Sequence, residues 1–164
     1  MILFTADWHI KLGQKNVPVD WAKNRYKMFF KQVHELEKEC NMHIIGGDLF
    51  DRLPTMEELE LYFLFIRNVQ IPTIIYDGNH EATKKHKTFF TNLKKASKDI
   101  NPLVTVIDIS YIDEDLGFGI LPYADLHRKG IIDHFDASQP LFTHVRGEIP
   151  PHVKPEVNLD MFDE

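Results

Sequence analysis

The chain has 164 residues, 43% of them hydrophobic and 27% charged, with a formal charge of −6. That is one domain with a core of its own, not a disordered chain, and not a basic protein that coats duplex DNA nonspecifically. A single cysteine, Cys40, excludes an internal disulfide and thiolate-rich zinc sites, and no apolar run approaches the ~20 residues of a membrane span.

Met1–Ala6 reads as a buried strand, closed by Asp7-Trp8-His9 at its carboxyl end. Gly13 and Pro18 mark a loop. Asp20 is placed to cap a helix running to about Cys40, with Ala22, Tyr26, Phe29, Phe30, Val33 and Leu36 on its apolar face. Met42–Ile45 is a second strand, stopped by Gly46-Gly47. Thr55 and Glu58 have capping-box spacing and open a helix that buries Leu59, Tyr62, Phe63, Ile66 and Val69. Ile71–Tyr76 is a third strand, turned by Asp77-Gly78-Asn79. A Lys-rich helix is expected from about Ala82 to Lys98, anchored by Phe89, Phe90 and Leu93. Leu103–Ile109, Tyr111–Ile112 and Phe118–Leu121 read as strands, Ala124–Phe135 as a short helix, and Leu141–Thr143 as a last strand before His144. Strands alternating with helices predict an α/β layered fold, mostly parallel in its first half.

The polar residues recur at one kind of place. Four strands each end in possible metal ligands: Asp7 and His9, Asp48 and Asp51, Asn79 and His80, and His144. Ligand sites in open α/β sheets lie beyond the carboxyl ends of strands, so neighbouring strands would bring all seven residues into one crevice. Carboxylate, imidazole and amide donors suit Mn²⁺, Fe²⁺ or Zn²⁺, and two such ions can clamp the attacking and leaving oxygens of a displacement at phosphorus. Gly46, Gly47 and Gly78 let the backbone turn tightly beneath. Each fragment alone is also an ordinary turn or cap; the succession of three after three strands carries the signal.

These motifs resemble the calcineurin-like metallophosphoesterases, and within them the DNA-repair branch of SbcD-like nucleases and phage recombination endonuclease subunits. Asp7-Trp8-His9, Gly47-Asp48-Leu49-Phe50-Asp51, Gly78-Asn79-His80-Glu81 and Thr143-His144 carry the likeness, and His144-Val145-Arg146-Gly147-Glu148-Ile149-Pro150 looks most like the phage proteins. Leu53 after Asp51-Arg52, where protein phosphatases usually have glycine, speaks against that branch. The resemblance implies an αββα fold with central β-sheets flanked by helices, over a single domain spanning residues 1–164. It further implies two divalent ions, Mn²⁺ foremost, held by Asp7, His9, Asp48, Asn79 and His144, with Asp48 bridging. His80 would stand over the scissile phosphate and stabilise the transition state or protonate the leaving oxygen, oriented by the carboxylate of Asp51. Arg52 would reach a phosphate or form a surface salt bridge.

The implied activity is metal-dependent DNA hydrolysis, as exonuclease and endonuclease, in a recombination or repair complex. Its partners would be DNA, an SMC-like ATPase subunit and a second copy of the chain, in the cytoplasm (the host's, for a phage-encoded chain). The family pattern continues to a Gly-x-His-x-His-like motif that is not found here. After His144 only His152 follows, so the domain is expected to stop before the last ligands, without capping or ATPase-binding regions. A catalytically weak binding module and a phosphatase of the same superfamily are the alternatives. Lys84, Lys85, Lys87, Lys94, Lys95 and Lys98 form a basic stretch just after His80, read either as a solvated helix face or as a DNA phosphate contact. His34 and His43 are expected to be structural.

Overall fold

A computed structural model describes residues 1–84, 87–147, 154 and 157–162, without the side chain of 159. Strand β1 (Ile2–Thr5) leads through α1 (Val19–Glu37) to β2 (Met42–Gly46), then through α2 (Met56–Arg67) to β3 (Thr73–Tyr76). A hairpin of β4 (Ala82–Lys84) and β5 (Lys87–Thr88) precedes α3 (Phe90–Ile100) and β6 (Val104–Ile107). Then come β7 (Tyr111–Asp113), β8 (Phe118–Leu121), α4 (Tyr123–Leu126) and β9 (Leu141–Thr143), with 3₁₀ turns at Ile132–His134 and Leu159–Phe162.

The first sheet has the order β1-β2-β3-β6 and every pairing is parallel. In register, Thr5 pairs with Ile45, Ile45 with Ile75, and Gly46 with Tyr76, so β1, β2 and β3 end at one edge. The near-continuous apolar character of β2 and β3 follows from burial on both faces; β1, expected to be buried, lies at the edge of the sheet and leaves Ile2 and Phe4 partly exposed. On one face Ile45, Ile75, Val104 and Val106 pack against Phe30 and Val33 of α1, Phe65 and Ile66 of α2 and Leu93 of α3. On the other, Ile44, Ile74, Tyr76 and Ile107 meet Phe118, Ile120 and Phe142 of a second sheet. That sheet is mixed: β7 runs antiparallel to β8, and β9 parallel to it. Its outer side is covered by Leu126, Ile131 and Phe135. Helices, sheet, sheet and short helices make the expected αββα layers.

Several local expectations are corrected. The Lys-rich helix begins at Phe90, not Ala82, because residues 82–84 and 87–88 pair as a hairpin. Phe89, Phe90 and Leu93 are buried as anticipated. Asp20 does not cap α1. The chain enters through Pro18, whose fixed φ of −60° suits an extended residue, and Asp20 sits in the first turn. Leu36 is exposed and Glu37 is buried in its stead, held by His34 and His43. The capping box at Thr55 and Glu58 is present, but α2 also buries Leu61 and Phe65. Ala124–Phe135 divides into α4 and a 3₁₀ turn.

Candidate metal centre

The loops leaving β1 and β2 run side by side and prolong the parallel ladder. Asp7 N–H donates to the Gly47 carbonyl (3.1 Å), His9 N–H to that of Asp48 (2.9 Å) and Ile10 N–H to that of Leu49 (2.8 Å). Among the described non-glycine residues, positive φ occurs at Asp7 (56°), His9 (46°), Asn16 (63°) and Asp48 (49°). Three of these four are predicted ligands. A left-handed conformation costs a side-chain-bearing residue roughly 1–2 kcal/mol, and such strain collects where function demands a particular side-chain direction. The strain at Asp7 and His9 is offset by Trp8 between them. Its indole is buried edge-on against Phe29 and Phe65, and its Nε1–H donates to Thr5 Oγ1 at 3.1 Å.

The glycines act differently from one another. Gly47, at φ 76°, is the one that needs the left-handed region. Gly46 and Gly78 are required for close approach: a Cβ on Gly46 would lie 2.6 Å from the Phe4 ring and the Tyr76 hydroxyl, and one on Gly78 would lie 2.5 Å from the Asp48 nitrogen.

On this backbone, Asp48 lies at the centre. Its Oδ2 is 3.3 Å from His144 Nε2, 3.7 Å from His80 Nε2 and 3.9 Å from His9 Nε2. Its Oδ1 accepts the backbone N–H of His80 at 2.9 Å. Asp7 Oδ1 lies 3.7 Å from His9 Nε2, and Asn79 Oδ1 lies 3.2 Å from His144 Nε2. Two groups of potential ligands form, His9-Asp48-His80 and Asp7-Asp48-His144, and both contain Asp48. This partition differs from the expected one, in which Asp7 accompanies His9 and His80 stands outside the ligands. The cleft over the groups measures about 530 Å³ and is also lined by Arg146.

Burial opposes the charge on Asp48, yet hydrogen bonds from the His144 imidazole and the His80 backbone N–H, with the charge of both rings, hold its carboxyl below the usual carboxylate range. Burial likewise opposes a charged His144, but hydrogen bonding and attraction to Asp48 push that imidazole up to about 9. His144 Nδ1–H donates to the Gly46 carbonyl (3.2 Å), so Nε2 is the nitrogen turned to the cleft. The residues fit a divalent metal. Oxygen and nitrogen donors converge without a Lys or Arg among them, and three of the residues are held in strained conformations.

Glu81 is what the motif reading left without a role. It is fully buried; Oε2 accepts the N–H groups of Asp48 (3.0 Å) and Gly78 (2.8 Å), and Oε1 that of Phe50 (2.8 Å). One carboxyl thus ties together the two glycine-rich loops that carry Asp48, Asn79 and His80. Burial raises its pKa to about 7 against those hydrogen bonds. An acidic residue beside Gly-Asn-His, in an otherwise buried stretch, was the available signal. Tyr26 was also missed as a polar contact: its hydroxyl donates to the His9 carbonyl (2.9 Å) and accepts from Lys11 N–H (3.0 Å).

Other expected residues fall elsewhere. The Asp51 carboxylate does not orient His80. It pairs with Lys11 Nζ at 2.7 Å, and the Asp51 carbonyl accepts His80 Nδ1–H at 2.5 Å. Arg52 forms a two-pronged pair with buried Glu58 (2.7 and 3.1 Å), which also accepts Leu12 N–H, so its guanidinium braces a loop instead of facing the cleft. Lys84 and Lys87 are exposed on the hairpin, whereas Lys94 pairs with Asp108. Lys85, His86 and His152 lie outside the described residues. His43 is fully buried between Glu37 and Thr5.

The calcineurin-like phosphoesterase family matches residues 1–160, and the chain belongs to that family. It is a phosphoesterase domain of a class that uses divalent metals. Among individual proteins it is 39% identical, over 166 aligned positions covering 99% of the chain, to a protein of Escherichia phage T5 named "Probable exonuclease subunit 1". The chain spans about half the length of that curated relative (50%). No helix among the described residues is long and apolar enough to cross a membrane.

Proposed function

We propose that this chain carries the phosphodiesterase site of a metal-dependent DNA nuclease. The observation that carries the reading is the gathering of Asp7, His9, Asn79 and His144 around the Asp48 carboxylate at the floor of an open cleft. Asp7, His9, Asp48, Asn79 and His144 would hold two divalent ions, with Mn²⁺ suited to this mixed oxygen and nitrogen set. Such ions, when bound, neutralise phosphate charge and activate water.

The remaining chemistry belongs to His80. A carbonyl oxygen can only accept, so the 2.5 Å contact to Asp51 places a proton on Nδ1 and leaves Nε2 turned toward Asp48 and the cleft. Nε2 is then the atom that carries a proton to the leaving oxygen, or, while protonated, offsets the charge growing on the phosphate. Asp51 positions this ring through its backbone, and its carboxylate is anchored by Lys11.

Two observations support DNA as the substrate. The cleft is open, and Lys84 and Lys87 stand exposed just after His80, where they would take phosphate contacts together with Lys85. The phage relative is named a subunit, which supports a partner; an SMC-like ATPase in recombination or repair, and pairing of two copies, complete the proposal. The test is Mn²⁺-dependent cleavage of linear DNA, with Asp48→Asn and His80→Ala as controls. Loss of cleavage in both is expected, and full cleavage by both would refute the site. A folded chain that binds DNA and cuts nothing would instead favour a binding module.

A further inference from the structure

A second cleft, of about 650 Å³, runs along α1 and shares Ala6 and Asp7 with the metal cleft. The two clefts thus adjoin at these residues. The wall of the second carries Trp21, which is 56% exposed although Trp is a residue that folding usually hides. Arg25 stands with its guanidinium 5.5 Å from the centre of the Trp21 ring, and no acidic side chain among the described residues pairs with it. Gln14 and Tyr26 add polar groups beside them.

We infer that this groove is a stacking subsite for an unpaired nucleobase of the strand whose phosphate lies at the metal centre. The inference rests on the nuclease reading above and names its substrate class, single-stranded or frayed DNA. A flat π surface flanked by a planar cation matches a base linked to a phosphate, because every base has a face to stack and every linkage a negative charge to meet. Because Ala6 and Asp7 line both clefts, a strand with a phosphodiester at the metal centre would lead its flanking nucleotides toward Trp21. The alternative occupant, a second copy of the chain docking on Trp21 and the equally exposed Met28, leaves both the guanidinium and the opening toward Asp7 without a role.

The chain has two tryptophans, and Trp8 is buried, so quenching by added DNA reports on Trp21. The experiment titrates the full chain with a short oligothymidylate, and with an oligomer of equal length made abasic, in the presence of Ca²⁺. The base-bearing oligomer is expected to quench and to bind roughly 5- to 150-fold more tightly, as stacking of one base implies. Trp21→Ala should erase that preference, and Trp21→Phe should keep most of it; circular dichroism checks folding. Equal affinity of the parent for both oligomers, or a preference retained in Trp21→Ala, overturns the inference. So does a Trp21→Ala variant that changes only the sedimenting mass, which would make the face a contact between copies. Mn²⁺-dependent cleavage of the abasic oligomer separates the two readings. Cleavage without base preference leaves the nuclease standing and removes the subsite, and neither cleavage nor binding of either oligomer removes both.

Discussion

Gly47→Ala tests whether the backbone beneath the site exists to place His144. The new Cβ would press on His144 Nδ1 and stand 2.6 Å from its Cγ, so the ring must retreat by about 1 Å to reach ordinary contact at 3.4 Å. His144 is packed between the Gly46 carbonyl, Asn79 and Asp48, with its Nε2 3.3 Å from the Asp48 carboxylate. A retreat of that size breaks this geometry. At φ 76° an alanine also adds strain of roughly 1–2 kcal/mol, which lowers the melting temperature by about 2–8 °C in a chain of this size. Displacing one ligand should weaken Mn²⁺ binding by roughly 10- to 100-fold, judging from the sensitivity of metal sites to their supporting contacts. Thermal melts and calorimetric Mn²⁺ titrations measure the two effects separately. The decisive comparison repeats the substitution in a His144→Ala background. If Gly47 acts through the imidazole, the affinity loss largely disappears there. Parent-like Mn²⁺ affinity in Gly47→Ala, or an undiminished loss without the imidazole, would refute the reasoning.

Four further outcomes follow from the same geometry. Glu81→Ala strands three buried N–H groups at roughly 1–3 kcal/mol each; because burial of the carboxyl opposes that gain, a net loss of about 2–3 kcal/mol is expected, seen as a lower melting temperature together with weaker Mn²⁺ binding. Asp48→Asn removes the charge that holds the metal-free His144 at about 9, so NMR titration should find that imidazole much nearer its ordinary range. Glu37 is buried, which opposes its charge, yet hydrogen bonds from His34 and His43 hold its pKa below the usual value. Its contribution is therefore complete above the ordinary carboxylate pKa of about 4.5 and lost as pH falls through the depressed one, and Glu37→Gln should flatten the acid limb of melting temperature against pH. Lys84→Ala with Lys87→Ala should lower the salt dependence of DNA binding by about 0.7–0.9 in log–log slope per lysine, measured by fluorescence anisotropy.

The layered architecture was legible in the sequence because short apolar runs and period-3.6 apolar patterns are local, and because short strands such as Met42–Gly46 are stopped by glycine at the carboxyl end. The candidate ligands were legible too. Each follows a strand directly, and parallel strands in register deliver their carboxyl ends to one edge, so sequence position alone implied the meeting of Asp7, His9, Asp48 and Asn79; His144 follows β9 of the second sheet, and the packing of the two sheets brings it to them. Where the reading slipped, long-range pairing outweighed local propensity. The lysines near residue 84 look helical by composition, but the chain there folds into a hairpin whose strand β5 ends in Thr88, a buried residue that hydrogen-bonds back to Glu81.

What only the tertiary structure decided is how side chains are spent. Asp51 and Arg52 had roles near the phosphate by sequence, and Glu81 had none. Their distances to Lys11, Glu58 and the Asp48 backbone give one to anchoring, one to bracing a loop and one to tying the site together. The strain at Asp7, His9 and Asp48 was equally hidden, since φ is not written in residue identity when the residue is not glycine. The groove at Trp21 depends on which face of α1 the core leaves uncovered, and periodicity alone assigns faces only approximately. Sequence determined which chemistry is present and at which strand ends. Packing determined which of those groups remain free to meet a metal or a substrate, because a charge already paired in the fold is no longer available to either.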